Sequence, residues 1–200
     1  AHFAQSPSFI LHQVTCQFAT GNILFGPLNL SLETSLCALV GRNGSGKTRL
    51  LRMLAGLDEP ASGHIERFAS HVYVAQQQDI SPQTTLAELL GYDAIFAARK
   101  RIDRGDYQPD DLEMLDGYWD LAERLNEAFL QAKLPPFDPD KPAAEFSGGE
   151  RIRALLCGAF TAEADFLLMD EPTNHLDRQG RAWFYAQLRR YQGGVLVASH

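Results

Sequence analysis

Apolar residues form two kinds of pattern along this chain, and each kind predicts a different element. Short apolar or alternating runs predict β-strands at 9–18, 23–32, 36–40, 71–75, 166–169 and 194–198. Apolar residues spaced three and four apart predict helices at 47–57, 150–160 and 178–190, and a mainly helical stretch over 84–134. Strands that alternate with helices favour an α/β fold whose core is a mainly parallel sheet.

The segment that follows residue 35 combines a buried strand, a turn and a helix. Its continuous apolar run, Leu36–Val40, predicts a strand that is buried on both faces. The helix that follows at 47–57 has one apolar face, made of Leu50, Leu51, Leu54 and Leu57. Residues 58–63, with proline and glycine, are typical of a loop.

Prolines mark the end of the helical stretch. They lie at positions 135, 136 and 139, where they cannot continue a helix. The length of 200 residues is that of one domain. We therefore expect a single domain with a core of residues 1–83 and 146–200, an antiparallel β part near the N-terminus, and a helical subdomain over about 84–145.

Composition excludes several classes of protein. The chain is 45% hydrophobic and 22% charged, which excludes a fibrous or wholly disordered protein. Eighteen basic against 25 acidic residues give a formal net charge of −7, so the chain has no global basic footprint for nucleic acid. Arg99, Lys100 and Arg101 form a local basic run, for which a solvated helix face is favoured over a nucleic-acid contact.

Cysteine and histidine usage predicts neither a disulfide framework nor a zinc site. The three cysteines form no C-x-x-C pair, and the six histidines show no H-x-x-x-H spacing and no grouping with cysteine. No apolar window approaches the ~20 residues of a membrane-spanning helix. The N-terminus lacks the pattern of a signal peptide. We therefore expect a cytoplasmic location.

A glycine-rich loop follows the predicted strand 36–40 and precedes a predicted helix. This glycine loop consists of Gly41, Arg42, Asn43, Gly44, Ser45, Gly46, Lys47 and Thr48 and matches G-x-x-x-x-G-K-[ST]. Its glycines let successive backbone N–H groups point at phosphate oxygens, and the helix N-terminus adds its positive end. The pattern predicts that Lys47 binds the β- and γ-phosphates and that the Thr48 hydroxyl ligates Mg²⁺.

Two carboxylates follow the predicted strand 166–169. Asp170 and Glu171 would lie at the carboxyl edge of a parallel sheet, where such folds bind their ligands. Asp170 is the candidate carboxylate for Mg²⁺, through water, and Glu171 is placed to polarise an attacking water. A solvated acidic turn is the alternative when this pair is taken alone, but the phosphate loop favours the catalytic interpretation.

The run Phe146-Ser147-Gly148-Gly149-Glu150 adds a second candidate anion site, and it resembles the LSGGQ signature of the ATP-binding cassette (ABC) ATPases. A serine, two glycine N–H groups and a helix N-terminus can together bind a phosphate. The resemblance implies that this signature contacts the γ-phosphate of ATP held by a second cassette. It also implies a P-loop NTPase fold of the ABC type and Mg-dependent ATP hydrolysis.

Four further positions match this family in order. Gln76 resembles the glutamine that senses Mg²⁺ and the γ-phosphate, although Gln77 and Gln78 leave its register open. Asp177 resembles the D-loop aspartate that faces the partner cassette. His200 resembles the switch histidine, which forms a hydrogen bond with the γ-phosphate. Phe18 stands where the family has an aromatic that stacks on adenine, with a core strand residue as an equal alternative.

The segment 171–177, EPTNHLD, narrows the resemblance. Together with Glu150 in place of the signature glutamine, it is similar to the ABC-F subfamily of tandem-cassette proteins, many of which act on ribosomes. The resemblance implies two cassettes that sandwich two ATPs, so that each site is composite. Because the last apolar run ends at His200, we also expect the 200 residues to be part of a longer chain that hydrolyses ATP poorly alone.

Three other functions remain open on the sequence. The chain could be the ATP-binding subunit of a membrane transporter, which would require a transmembrane partner subunit. A chromosome or DNA-repair ATPase is disfavoured because residues 48–146 contain no sustained heptads. A non-catalytic nucleotide sensor is disfavoured because Asp170 and Glu171 are both present.

Overall fold

The structure, a computed structural model, describes residues 7–76, 80–106 and 108–199. The chain forms two compact units. The first contains residues 1–77, 162–174 and 188–200, and the second contains 78–161 and 175–187.

The first unit holds seven of the described strands and one helix. They are β1 (Phe9–Gln17), β2 (Ile23–Leu32), β3 (Leu36–Val40), α1 (Lys47–Leu54), β4 (Ser62–Arg67), β5 (His71–Val74), β6 (Phe166–Asp170) and β7 (Gly194–Ser199). An antiparallel sheet has the order β2-β1-β4, and a parallel sheet has the order β3-β7-β6-β5. The predicted α/β class, with its parallel core and N-terminal antiparallel part, is confirmed.

One strand was missed by the sequence analysis, which assigned residues 58–63 to a loop. Strand β4 begins at Ser62 and pairs with β1 across Phe9–Arg67 and Leu11–Ile65. Its sequence, SGHIER, has a single strongly apolar residue and a glycine, so its alternation carries little signal. Pairing with the strongly apolar β1 is what makes this segment extended.

The core of this unit lies between α1, the inner face of β1 and the parallel sheet. The rings of Phe9 and Phe166 meet edge to face, with centroids 5.1 Å apart and planes at 86°. Leu51 and Leu54 of α1 are fully buried in the same cluster. Burial of such side chains contributes roughly 1.5–3 kcal/mol each, which is why these elements hold together.

The helix predicted at 47–57 ends earlier than expected. It stops at Leu54, and Gly56 adopts a left-handed φ of 74° that lets the chain turn away. Leu57 is therefore exposed and lies outside the apolar face to which the sequence assigned it.

Strand β3 is not buried on both faces, so that prediction was wrong. Leu36 and Val40 are 66% and 69% exposed, whereas the intervening Cys37 and Leu39 pack against the core. The reason is position in the sheet: β3 is an edge strand that pairs with β7 alone. The interior strand β6 is buried at all five residues.

The second unit is helical, as the sequence predicted for 84–134. Its helices are α2 (Leu86–Leu90), α3 (Asp93–Asp103), α4 (Pro109–Met114), α5 (Leu121–Gln131), α6 (Gly148–Thr161) and the first part of α7 (Arg178–Arg190). Buried leucines and Phe129 on one side of α5 form part of its core.

This unit extends beyond the boundary at 145 that the sequence suggested, because α6 packs on α2 and α5. The Tyr92 hydroxyl donates a hydrogen bond to the carbonyl of Gly158 at 2.9 Å. A Cβ on Gly158 would lie 3.1 Å from the Leu90 side chain, so the two helices pack tightly at this glycine.

Within the described ranges, no helix combines the length and the apolar character that crossing a membrane requires.

Candidate nucleotide-binding site

The glycine loop connects the end of β3 to the start of α1. Gly46 has a left-handed φ of 94°, and a Cβ added there would lie 2.7 Å from the Phe25 ring. Gly44 also has a positive φ, 78°, but faces open space. The loop therefore needs glycine at position 46 for both conformation and room, and a glycine-rich turn of this kind can present backbone N–H groups to an anion.

Lys47, which ends the glycine-rich turn and begins α1, is buried. Its Nζ donates hydrogen bonds to the carbonyl oxygens of Gly41 at 2.6 Å and Arg42 at 3.2 Å. The same nitrogen lies 4.0 Å from Oε1 of Glu171. The ammonium thus lies between the loop and the carboxyl end of β6.

Asp170 is the last residue of β6 and is only 1% exposed. Among the described residues, neither of its carboxylate oxygens has a hydrogen-bond partner. Burial, and then the nearby negative charge of Asp170, raises the pKa of Tyr73 to about 12. A buried carboxylate of this kind is a suitable ligand for a divalent cation or for water bound to one.

Glu171 has a strained backbone. Its φ of 49° is left-handed, and its N–H donates to the carbonyl of Ala198 in β7 at 3.0 Å. Such a conformation costs roughly 1–3 kcal/mol in a residue other than glycine and is concentrated at functional sites. The turn keeps the Glu171 side chain buried beside the glycine loop.

These residues line a cavity of about 570 Å³, a volume typical of small-molecule sites. Its lining consists of Gln17, Phe18, Leu24, Asn43, Gly44, Gly46, Lys47, Thr48, Arg49, Gln76, Asp170 and Glu171. Phe18 is half-exposed there, immediately after β1. The site therefore combines an aromatic surface, a phosphate loop and two carboxylates.

Most residues that the sequence nominated for one bound nucleotide meet in this cavity. Gly41, Arg42 and Ser45 contribute to the loop itself, where the Ser45 N–H donates to the Arg42 carbonyl at 3.2 Å. His200 lies outside the described residues. Three lining residues were not predicted from the sequence: Gln17, Leu24 and Arg49. Gln17 directly precedes Phe18 and Arg49 directly follows Thr48, so proximity in the chain was the available signal for both. Leu24 carries no signal beyond being apolar.

The signature residues belong to the second unit and form a helix cap. The Ser147 N–H donates to Oε2 of Glu150 at 2.8 Å, and the Glu150 N–H donates to Oγ of Ser147 at 3.3 Å. Hydrogen bonds to the Glu150 carboxylate lower the pKa of Glu150, the Ser147 hydroxyl being the larger cause and the Ser147 backbone N–H the next. The reciprocal pair is a capping box that begins α6, and Ser147 and Gly148 are exposed.

The segment that contains His175 and Asp177, which resembles the D-loop, lies against this helix cap. A Cβ on Gly149 would be 2.9 Å from the carbonyl oxygen of His175, so only glycine allows this approach. Asp177 is exposed, and its Oδ1 accepts the Gly180 N–H at 2.6 Å at the start of α7. The aspartate therefore caps a helix, a structural role that accompanies any role toward a partner.

A parallel sheet, a glycine loop that leads into a helix, and buried carboxylates at a neighbouring strand end together define a P-loop nucleotide-binding domain. The ABC transporter family profile matches residues 26–174. The chain belongs to this family and is an ABC-type ATPase domain.

Curated relatives agree with the subfamily that EPTNHLD suggested. The chain is 31% identical to the energy-dependent translational throttle protein EttA of Mycobacterium tuberculosis and to that of Escherichia coli K12, over 81% of this chain in both cases. It is 37% identical to the ATP-binding protein Uup of Caulobacter vibrioides over 88% of this chain. EttA and Uup are ABC-F proteins.

The chain spans only part of these relatives. It covers 32% and 33% of the two EttA proteins and 25% of Uup.

Solved structures show the same fold. An ATP-binding subunit of an ABC transporter superposes with a TM-score of 0.71 and 17% identity, covering 96% of this chain and 79% of the other. A metal-chelate type ABC transporter in an inward-facing conformation superposes with a TM-score of 0.68 and 21% identity, covering 97% of this chain and 73% of the other.

Proposed function

We propose that this chain is an ATPase cassette that binds MgATP at the glycine loop and hydrolyses it at the end of β6. The observation that carries the proposal is the buried Asp170 carboxylate, which has no hydrogen-bond partner among the described residues. Such a group is costly to bury unless a cation or an ordered water satisfies it. Its position beside Lys47 and the glycine loop supports a metal-bound triphosphate as the ligand.

Thr48, Gln76 and Asp170 are the residues that would hold Mg²⁺. All three line the cavity, and they offer a hydroxyl, an amide carbonyl and a carboxylate, which are hard oxygen donors of the kind Mg²⁺ prefers. When bound, the ion supplies positive charge that offsets the charge of the phosphate oxygens during transfer.

The nucleotide is bound by backbone and side chain together. The N–H groups of the glycine loop and of the first turn of α1 donate hydrogen bonds to phosphate oxygens, and the positive end of the helix adds to this attraction. Lys47, whose Nζ donates to loop carbonyls, exchanges these for the β- and γ-phosphate oxygens. Phe18 stacks on adenine, which its half-exposed position in the lining supports.

Hydrolysis is an in-line phosphoryl transfer to water. Glu171 orients and polarises the attacking water, and Lys47 stabilises charge that develops on the phosphate. The buried, strained position of Glu171 supports this role because a fixed carboxylate needs little reorganisation when the reaction occurs. His200 contributes a second contact to the γ-phosphate, a role that rests on the family resemblance.

A complete site requires a second cassette. The exposed Ser147 and Gly148, with Gly149, Glu150 and the start of α6, contact the γ-phosphate bound by that partner, and Asp177 faces it. Closure depends on ATP, because the γ-phosphate makes contacts that ADP lacks. The second cassette is supplied by the same polypeptide or by another copy.

We further propose that the protein works on the ribosome in the cytoplasm, as an ABC-F protein. Two observations support this: the EPTNHLD segment, and the 31% identity to proteins named as energy-dependent translational throttles. The competing function is that of an ATP-binding subunit that energises a membrane transporter.

The deciding experiment uses the full chain with Glu171→Gln, which should retain ATP and keep two cassettes closed. We expect this variant to co-sediment with ribosomes in the presence of MgATP, and much less with MgADP. Glu59→Gln, which alters an exposed glutamate, is the matched control. ATP-dependent recovery with a membrane protein, and none with ribosomes, would assign the chain to a transporter instead.

A further inference from the structure

A second cluster of metal-ligating side chains lies on the antiparallel sheet. His12 of β1 and His64 of β4 are directly opposite one another in the ladder, and Glu66 follows two residues after His64. Because side chains alternate between the faces of a strand, all three lie on one face. The opposite face carries Leu11 and Ile65, which pack toward the core.

The three side chains converge on a common point. Nε2 of His12 lies 2.6 Å from Oε1 of Glu66, and Nε2 of His64 lies 3.9 Å from the same oxygen. The imidazole rings are stacked, with centroids 4.5 Å apart and an angle of 17° between planes. One ligand atom from each residue falls within 4.8 Å of the other two.

These separations are close to those of a metal centre. Ligand atoms around a tetrahedral Zn²⁺, each about 2.0–2.2 Å from the ion, are themselves about 3.4 Å apart. The side chains are 42%, 68% and 44% exposed for His12, His64 and Glu66, so small rotations can reach this geometry. Their exposure also leaves a fourth position for water.

The backbone beneath the cluster is held in place by an irregular pairing. Gln13, next to His12, has a left-handed φ of 51°, and its N–H donates to Oδ1 of Asn29 at 2.9 Å. Gly63, next to His64, has a φ of 81°, and a Cβ there would collide with the carbonyl oxygens of His12 and Gln13. This bulge brings the strands close together beside both histidines, which reduces the ordering that binding would require.

The neighbouring cation does not compete for Glu66. Arg67 points to the other face, where its guanidinium donates to the carbonyl oxygens of Met53 at 2.6 Å and Leu54 at 2.9 Å. The Glu66 carboxylate therefore faces the two histidines and not the Arg67 guanidinium.

We propose that His12, His64 and Glu66 form a binding site for a divalent transition-metal ion of the zinc type. Two imidazoles and one carboxylate are a common ligand set for Zn²⁺ in proteins. The site is separate from the nucleotide cavity, since none of its three residues lines that cavity. Bound metal joins β1 to β4 and so stabilises the antiparallel sheet from which Phe18 extends.

The test is a Zn²⁺ titration of the full chain without nucleotide, by isothermal calorimetry, with Co²⁺ absorption spectra as a second readout. We expect wild type to bind one more equivalent than His12→Ala or His64→Ala. His175→Ala, which removes an exposed histidine elsewhere, should match wild type. Zinc bound at cysteines or at the nucleotide site would remain in every variant.

Glu66→Gln tests the third ligand while preserving side-chain shape. The Zn²⁺ affinity of this variant should fall by more than the ~10–100-fold loss typical of an outer-shell partner. Bound Zn²⁺ should also raise the melting temperature of wild type more than that of His64→Ala. Equal stoichiometry in wild type and both histidine variants, or no zinc-dependent change in wild type, would overturn the proposal.

Discussion

Nζ of Lys47 lies 4.0 Å from Oε1 of Glu171, and both side chains are buried. The lysine begins α1, whereas the glutamate directly follows β6, so two elements that are far apart in the chain bring opposite charges to one cavity. Attraction between opposite charges is screened less where water is excluded, so each of these side chains favours the buried position of the other.

Removing the proposed water-polarising carboxylate should separate binding from turnover. Glu171→Gln keeps the shape of the side chain but loses its charge, so we expect ATP affinity to be retained and hydrolysis to fall by about 10²–10⁴-fold. Steady-state phosphate release and nucleotide titration measure the two effects. Glu59→Gln should hydrolyse ATP like wild type, and an unchanged rate in Glu171→Gln would refute its assignment.

Lys47→Ala should weaken nucleotide binding itself. A charge-assisted hydrogen bond is worth roughly 1.5–3 kcal/mol, so we expect at least about a 10-fold loss of ATP affinity. Fluorescent-nucleotide titration measures it, with Lys133→Ala, an exposed lysine in the second unit, as control. Wild-type affinity in Lys47→Ala would contradict the phosphate-cradle interpretation.

Two glycines of one loop should differ in their tolerance of alanine. Gly46→Ala combines a left-handed φ with a Cβ 2.7 Å from Phe25, whereas Gly44→Ala has a left-handed φ and open space. We expect Gly46→Ala to lose more free energy of unfolding, by an amount on the order of 1–3 kcal/mol beyond Gly44→Ala. Urea denaturation gives both values, and equal losses would show that the contact with Phe25 is readily relieved.

An ion pair in the second unit, in which the Asp111 side chain is buried, should make the free energy of unfolding depend on pH in the acid range. Asp111 accepts hydrogen bonds from Arg101 and, at 2.8 Å, from the Gln108 N–H. These partners, Arg101 first, lower the pKa of Asp111 from 3.8 to about 2.

The stabilisation by Asp111 is therefore complete above pH about 4 and is lost as pH falls toward 2. Asp111→Asn should be less stable than wild type at pH 7, and this difference should shrink through that window. The exposed neighbour variant Asp110→Asn should show no such convergence. Urea denaturation at a series of pH values provides the measurement, and a difference independent of pH would exclude Asp111 as its source.

Local sequence patterns were sufficient to predict most of the strands and helices. The strands at 23–32 and 36–40 and the helix at 178–190 have the predicted bounds, because their apolar periodicity or contiguity is strong. Strand β4 was missed because SGHIER becomes a strand through pairing with β1, a contact that no local pattern contains. The exposure of β3 has a similar cause, since its place at the sheet edge depends on the order of all four strands.

The sequence by itself determined the fold class, the family and the residues proposed to bind MgATP. It could do so because a phosphate loop and a strand that ends in Asp170 and Glu171 are contiguous motifs, each carrying its chemistry within a few residues. Only the tertiary structure decided that Asp170 is buried without a protein partner among the described residues. It also decided the pairing of His12 with His64 and Glu66: His12 and Glu66 are 54 positions apart, and only the β1–β4 register makes them neighbours.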